Sequence, residues 1–461
     1  MKFIRTNYVS LIILLVFAAG FYVRATWYGD LRLSTANAET DSYISASRAP
    51  LFSWRIFAGQ RLFTTNLIFK MANDAANCPI TSYGKPGIGE ESERAAQPCF
   101  DRIALLQNYL SIFGWLFLGW MLARQLRNPF VKIFAATSIM LFGFTPQIAE
   151  WDSVLSPESL SLSMFAILLG LALEVVLRAA SSEKPFASRA DKILLAVLVV
   201  WYALWVFVRD VHLYAIPVTL VLIFPLFFLK KFRKARPLYY ASASLLVFFI
   251  VGYLSARDSL RATRFPLMNS LDVYILPYPS RVEFFKKFDM PEKEAPDYKD
   301  APIYQAWADE HAAKAYAAFL ITHPGFVVTT LWENMELLTS DFSQPYFIAD
   351  EVKNRKTLLT VGEMVNPDTG AVYLLTLIIP LAFFFQAAQH RTPHLSGWAW
   401  LAICIYGISA ATLFISFFGD IAGIRRHIQP SVEMIRLYMW IFLAPFFDLD
   451  LEKTEIINNG Q

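Results

Sequence analysis

The sequence predicts an all-α polytopic membrane protein that crosses the bilayer about ten times, and three observations carry that prediction. Apolar residues make up 56% of the 461-residue chain and charged residues 17%, against roughly 45–50% and 25% in a soluble domain. The excess is gathered into runs of the length a helix needs to cross about 30 Å of hydrocarbon. Aromatic residues, 16% of the chain, collect at the ends of those runs, where interfacial belts form.

Ten runs fit: 8–27, 103–122, 130–149, 159–178, 192–208, 211–229, 238–255, 371–388, 398–418 and 429–447. Lys2 and Arg5 precede the first, as they would in a signal peptide. The A-x-A-like site at Ala36-Asn37-Ala38 lies well beyond the run, so the first span is expected to be retained. Basic residues in short loops set the orientation. Arg124, Arg127 and Lys132, then Arg178, Lys184, Arg189 and Lys192, then Lys230, Lys231, Arg233, Lys234 and Arg236 all fall on the side of Lys2 and Arg5. That side is expected to be the cytoplasm, which places the chain in an inner (plasma) membrane.

The opposite face then receives two long segments. The chain divides into an N-terminal seven-span module, 1–255, which includes the outer loop 28–102. An outer segment with interfacial helices, 256–370, and a three-span segment with a cytoplasmic tail, 371–461, follow. The stretch 315–332 is nearly long enough to span but is interrupted by His323-Pro324-Gly325. It is expected to form two short interfacial helices, since each apolar piece is too short alone. If it crossed instead, everything after it would change sides.

Cys78 and Cys99 share the first outer loop, and in an oxidising compartment a bond between them would stabilise it by roughly 3 kcal/mol. Two free thiols are the alternative. Cys404 falls inside a span and reads as packing.

Candidate chemistry concentrates at the outer ends of the spans. Glu39-Thr40-Asp41 follows span one, and a carboxylate there could take a proton from an attacking hydroxyl. Capping of a helix that begins nearby explains the same residues. Between spans three and four stand Glu150, Asp152 and Glu158. Ser156-Pro157-Glu158 is a good helix start, whereas Glu150 and Asp152 are expected to face water or a site. Arg209 and His212, then Arg257, Arg261 and Arg264, then Arg425, Arg426 and His427 lie on the face that basic residues should avoid. An anionic lipid headgroup would account for them, because guanidinium donors match phosphate; a single such arginine is equally a snorkelling surface charge. Glu174 and Arg178, four apart, read as a helix-surface ion pair.

The net charge of +3 and the lack of a basic patch give no reason to expect nucleic acid. Scattered histidines and the lack of C-x-x-C or H-E-x-x-H give none to expect a metal, and no cofactor is expected.

The segments ETDSYISA (39–46), WDSVLSPESLSLS (151–163), FVRDVHLYAIP (207–217) and GDIAGIRRHIQP (419–430) resemble loop-to-span junctions of the GT-C superfamily of polyprenyl-phosphate-sugar-dependent glycosyltransferases. The layout of most of the chain is similar, although Pro157 stands where similar enzymes often run Ser-Glu directly. Residues 75–100 and 256–310 carry no such resemblance. The resemblance implies an inverting transfer on the extracytoplasmic face. A polyprenyl-phosphate sugar would be the donor, and a lipid, glycan or protein hydroxyl the acceptor, among membrane lipids. It implies Asp41 as general base, with Asp152, Glu158 and Glu150 orienting acceptor or sugar. Arg209, His212, Arg425, Arg426 and His427 would meet the departing phosphate. Two other readings compete: a polysaccharide polymerase or ligase relying on the late arginines, and a transporter, which needs charges near the middle of spans.

Overall fold

Proline sets the start of several long helices, because it lacks only a donor that the first turn cannot use. Pro129, Pro157 and Pro393 each take the first helical position, behind Asn128, Ser156 and Thr392. The Asn128 side chain accepts from the Phe130 and Val131 amides, and Thr392 does so from Leu395. Ser156 holds the cap position without that bond. Ahead of residue 40 the cap position falls to Glu39, with Asp41 in the first turn.

The computed structural model describes residues 2–57, 61–72, 78, 80, 97–262, 265–292, 301–340, 343–346, 352–421 and 423–459. Its helices are α1 (Lys2–Trp27), α2 (Thr40–Ser47), α3 (Trp54–Phe57), α4 (Phe63–Ala72), α5 (Asp101–Gln125), α6 (Pro129–Phe144), α7 (Pro146–Ala149) and α8 (Pro157–Ser181). There follow α9 (Arg189–Val206), α10 (Ala215–Ile223), α11 (Arg236–Ala262), α12 (Phe265–Tyr274), α13 (Pro279–Lys286), α14 (Pro302–Trp307) and α15 (Ala313–Thr322). The last six are α16 (Pro324–Glu333), α17 (Met335–Thr339), α18 (Arg355–Val365), α19 (Gly370–His390), α20 (Pro393–Gly419) and α21 (Ile424–Asn459). No strand forms among the described residues; Thr35 and Val154 make an isolated parallel bridge.

Among the described residues seven helical stretches are long and apolar enough to cross a membrane, or up to nine if each of two bent pairs is one span. Two of the expected spans, 192–208 and 429–447, fall in α9 and α21, which are not in that number. The chain is a multi-pass, all-helical membrane protein. α8 lies at its centre, packed on α5, α9, α20 and α21. The approach of α5 is close enough that a Cβ at Gly114 would stand 2.6 Å from the Ser163 carbonyl oxygen, so only glycine fits there. One core joins residues from Tyr43 to Ala444, so the C-terminal spans share it with the N-terminal ones. A second core lies beneath α12–α17, against the outer parts of α20 and α21.

The two ends differ in what their charges do. At one end Glu174 pairs with Arg178 and, at 3.6 Å, with Arg124. Lys231 there donates to the Ala180 carbonyl at 2.6 Å. The Asp448 carboxylate accepts from the Arg127 and Asn128 amides at 2.9 and 2.7 Å. The opposite end, called outer below, carries the site.

Segment 315–332 divides at His323, where the helices on either side meet at 86°. It does not cross. Arg426 pairs with Glu39, so residues after span one and after α20 lie at one end of the molecule. If α5, α6, α8, α9, α10, α11, α19 and α20 each cross, the pair stays on one side only when α15–α16 does not.

Cys78 and Cys99 are disulfide-bonded, with Cα atoms 6.0 Å apart. Most of the loop they close, residues 81–96, lies outside the described residues. The Arg257, Arg261 and Arg264 side chains lie outside them as well.

The parity is testable by labelling. Single cysteines replacing Ser340 and Ile424, in a Cys404→Ser background, react with an impermeant maleimide from one side of sealed vesicles. A cysteine replacing Glu183 reacts only from the other.

Candidate functional site

The outer end is assembled by stitching loops together. The Thr35 amide donates to the Ser153 carbonyl and the Leu155 amide to the Thr35 carbonyl, at 2.8 and 2.9 Å. The Thr40 hydroxyl reaches the Leu155 carbonyl at 2.9 Å, and the Gln107 amide holds the Asp152 and Val154 carbonyls from below. The loop after α1 is thereby fixed against the turn leading into α8.

Two ion pairs anchor this layer. Arg24, at the end of α1, donates to Asp152 at 2.7 Å and to the Ala149 carbonyl at 2.8 Å, and its guanidinium covers the Tyr28 ring. Ser159 donates to the other Asp152 oxygen, and the carboxylate is 1% exposed. Glu150 is gripped by Arg355 through Nε at 2.6 Å and Nη2 at 3.0 Å. Of the two expectations for these acids, water or a site, water fails: both are buried, each against an arginine. The loop is wound into α7 and a 3₁₀ turn, and the segment leading into α18 covers it. Asp152 and Glu150 are the ends of two struts.

Above them lies a cluster with a different character. Glu39 places Oε2 3.1 Å from Arg61 and Oε1 on Arg426. Burial alone would raise its carboxyl, but Arg426 and Arg61 outweigh burial and hold it at about 2. Arg61 also meets Ser42 and the Tyr43 hydroxyl, and stacks 4.0 Å over the Tyr43 ring. Arg426 acts electrostatically on the Tyr346 hydroxyl, and its Nε lies 3.8 Å from Glu158 Oε1. Arg209 approaches the same oxygen at 3.5 Å and His427 Nδ1 at 3.2 Å.

Because a guanidinium only donates, His427 Nδ1 is the acceptor and its proton resides on Nε2, which faces Asp420 at 3.5 Å. Burial, then Arg209 and Arg426, push this imidazole down to about 3, so it is neutral near pH 7. Burial likewise raises the Tyr43 and Tyr346 hydroxyls to about 12.

The structure therefore brings together Glu158, Arg209, Arg426 and His427 from the expected set. It does not bring the others. Asp41 is exposed on α2, and Arg425 is exposed on the first turn of α21. His212 is fully buried, stacked on Trp205 with Nε2 3.0 Å from the Ser161 hydroxyl. Arg61, Tyr43, Tyr346 and Asp420 enter unannounced. Arg61 had a readable signal, as one more arginine on the face that basic residues avoid; Tyr346 had none. Among the described residues no group of three or more His, Cys, Asp or Glu converges as a metal-ligand set.

Five donors per guanidinium are available, yet the contacts of Arg209 on Glu158 and His427 are long. The arrangement has donor capacity left for an anion.

No protein-family model and no curated protein matches the sequence. Among solved structures, the chain is similar to an oligosaccharyltransferase, AglB from Archaeoglobus fulgidus, in complex with an inhibitory peptide and a dolichol-phosphate. The identity is 12%, the TM-score 0.44, and the match covers 99% of this chain and 52% of that one. The apo form of the Archaeoglobus fulgidus oligosaccharyltransferase is similar at 10% identity and a TM-score of 0.46, covering 100% and 53%. The chain spans about half the length of the solved structures it matches.

Replacing Arg24 by Met strands the Asp152 carboxylate in the interior. The expected cost is about 3–5 kcal/mol, seen as a lower thermal unfolding temperature in detergent. Arg24→Met/Asp152→Leu recovers most of that loss if the pair is a strut.

Proposed function

We propose that the protein is a GT-C-like inverting glycosyltransferase. It moves a sugar from a polyprenyl-phosphate donor to an acceptor hydroxyl on the extracytoplasmic face of the inner membrane. The observation that carries this reading is the convergence of Arg61, Arg209 and Arg426 at the outer ends of the spans, with guanidinium donors in excess of their acceptors. A polyprenyl tail lies in the bilayer while its phosphate is held at that level. Bidentate donors suit a phosphate that gains charge as the bond to the anomeric carbon breaks.

The acceptor comes from the aqueous side, and its hydroxyl proton passes to a carboxylate. Glu39 is ill suited, since both its oxygens are committed to guanidiniums. Asp41, two residues on and exposed, is the base in this proposal. As the acceptor oxygen bonds to the anomeric carbon, the phosphate departs with the bonding pair and configuration inverts. A transporter would use charges in mid-span as a path. Here the buried Glu433–Arg436 pair is occupied otherwise, with Arg436 donating to the Thr339 and Ser340 carbonyls at 3.0 and 3.1 Å.

Comparing the glycolipids and glycoproteins of cells with and without the gene identifies the product. Losing one such donor typically costs about 10²–10³ in rate, so Arg209→Met and Arg426→Met are each expected to abolish that product, Arg209→Met while the protein accumulates normally. Asp41→Asn is expected to do the same. Full product from Asp41→Asn alongside loss in Arg426→Met would favour the polymerase or ligase reading, and an unchanged glycan profile without the gene contradicts both.

A further inference from the structure

A donor must be recognised by its sugar as well as its phosphate, and two buried groups beside the arginines are left without partners. Glu158 is 1% exposed. Its Oε1 faces Arg209 and Arg426, whereas Oε2 is buried and has no hydrogen-bond partner. Gln429 is fully buried, and neither its amide oxygen nor its amide nitrogen has a partner. It stands three residues after Arg426 on α21, hence on the same helix face and one turn deeper. α8, which carries Glu158, packs on α21.

Leaving such groups unpaired costs about 1–3 kcal/mol each, and more for a charge. The ion pairs of Glu158 use Oε1 alone, and nothing among the described residues occupies Oε2 or the Gln429 amide. A carboxylate oxygen that only accepts, beside an amide that donates and accepts, is a set suited to hydroxyl groups. A ligand that brings a carboxylate of its own into this buried site meets like-charge repulsion from Glu158.

We infer that Glu158 Oε2 and the Gln429 amide form a sugar-hydroxyl subsite beside the arginines. It takes an uncharged sugar held by its anomeric phosphate, and it rests on the glycosyltransferase reading. The hydroxyl nearest that phosphate, on the neighbouring ring carbon, donates to Glu158. Ring hydroxyls one turn deeper pair with Gln429.

The test is equilibrium dialysis of the full-length protein in detergent against inorganic phosphate, a panel of neutral sugar 1-phosphates (glucose, galactose, mannose and N-acetylglucosamine) and glucuronic acid 1-phosphate. At least one neutral sugar phosphate is expected to bind about tenfold or more tighter than inorganic phosphate, the worth of one charge-assisted hydrogen bond. Glucuronic acid 1-phosphate is expected to show no such gain. Glu158→Gln and Gln429→Leu should each erase the gain, and Gln429→Leu, which leaves the ion pairs of Arg209 and Arg426 in place, should keep the affinity for inorganic phosphate within about threefold of wild type. Gln429→Leu should also raise the unfolding temperature, because it removes an unsatisfied buried amide; a merely structural glutamine would lower it.

Phosphate binding with no gain for any neutral sugar, or a gain that survives both substitutions, overturns the subsite alone. Failure of inorganic phosphate and every sugar phosphate to bind overturns the phosphate site, and the subsite with it.

Discussion

The contact between Arg426 and Glu39 joins residues 387 apart in sequence and constrains everything at the outer end. It fixes the first outer loop against the start of the last helix. It also brings Arg61 and Arg209, each from a different connection, to one point. Like charges gather there only because Glu39 and Glu158 stand between them. In a partly buried setting such attraction is far stronger than in water.

Two kinds of ion pair are distinguishable beneath and within the cluster. Arg24–Asp152 and Arg355–Glu150 are short, multiply bonded and buried, and they hold α1 and α18 to the turn before α8. The contacts of Arg209 and Arg426 with Glu158 are longer and leave capacity on both sides. A satisfied network makes a rigid frame, whereas an under-bonded one at low dielectric is where a ligand contributes most. The frame explains how the under-bonded part persists. Its helix starts are set by prolines and by packing around α8, not by the cluster itself.

Much of the architecture was legible. Hydropathy located the runs because each span must satisfy its backbone internally and bury or expose an apolar surface. The break at His323-Pro324-Gly325 was legible too, since proline ends the preceding helix. Pairings were not. Nothing local to Glu150 names Arg355 as its partner, and a short loop looked open because the segment covering it comes some 200 residues later. In the first outer loop the resemblance singled out Asp41 and passed over Glu39; helix phase, which a loop start does not reveal, sends Glu39 into the cluster and leaves Asp41 exposed. Gln429 read as the edge of a span, and only its burial beside Arg426 makes it notable.

The joining of Glu39 and Arg426 is open to direct measurement. A protease site inserted at Glu183 divides the chain into two fragments, one carrying Glu39→Cys and the other Arg426→Cys, in a Cys404→Ser background. Treated in native membranes with a short bismaleimide and then cleaved, the fragments are expected to migrate together in denaturing gels. Either cysteine alone should leave them apart. Separate fragments from the double variant, with the two cysteines labelled from opposite sides of the membrane, would contradict the account.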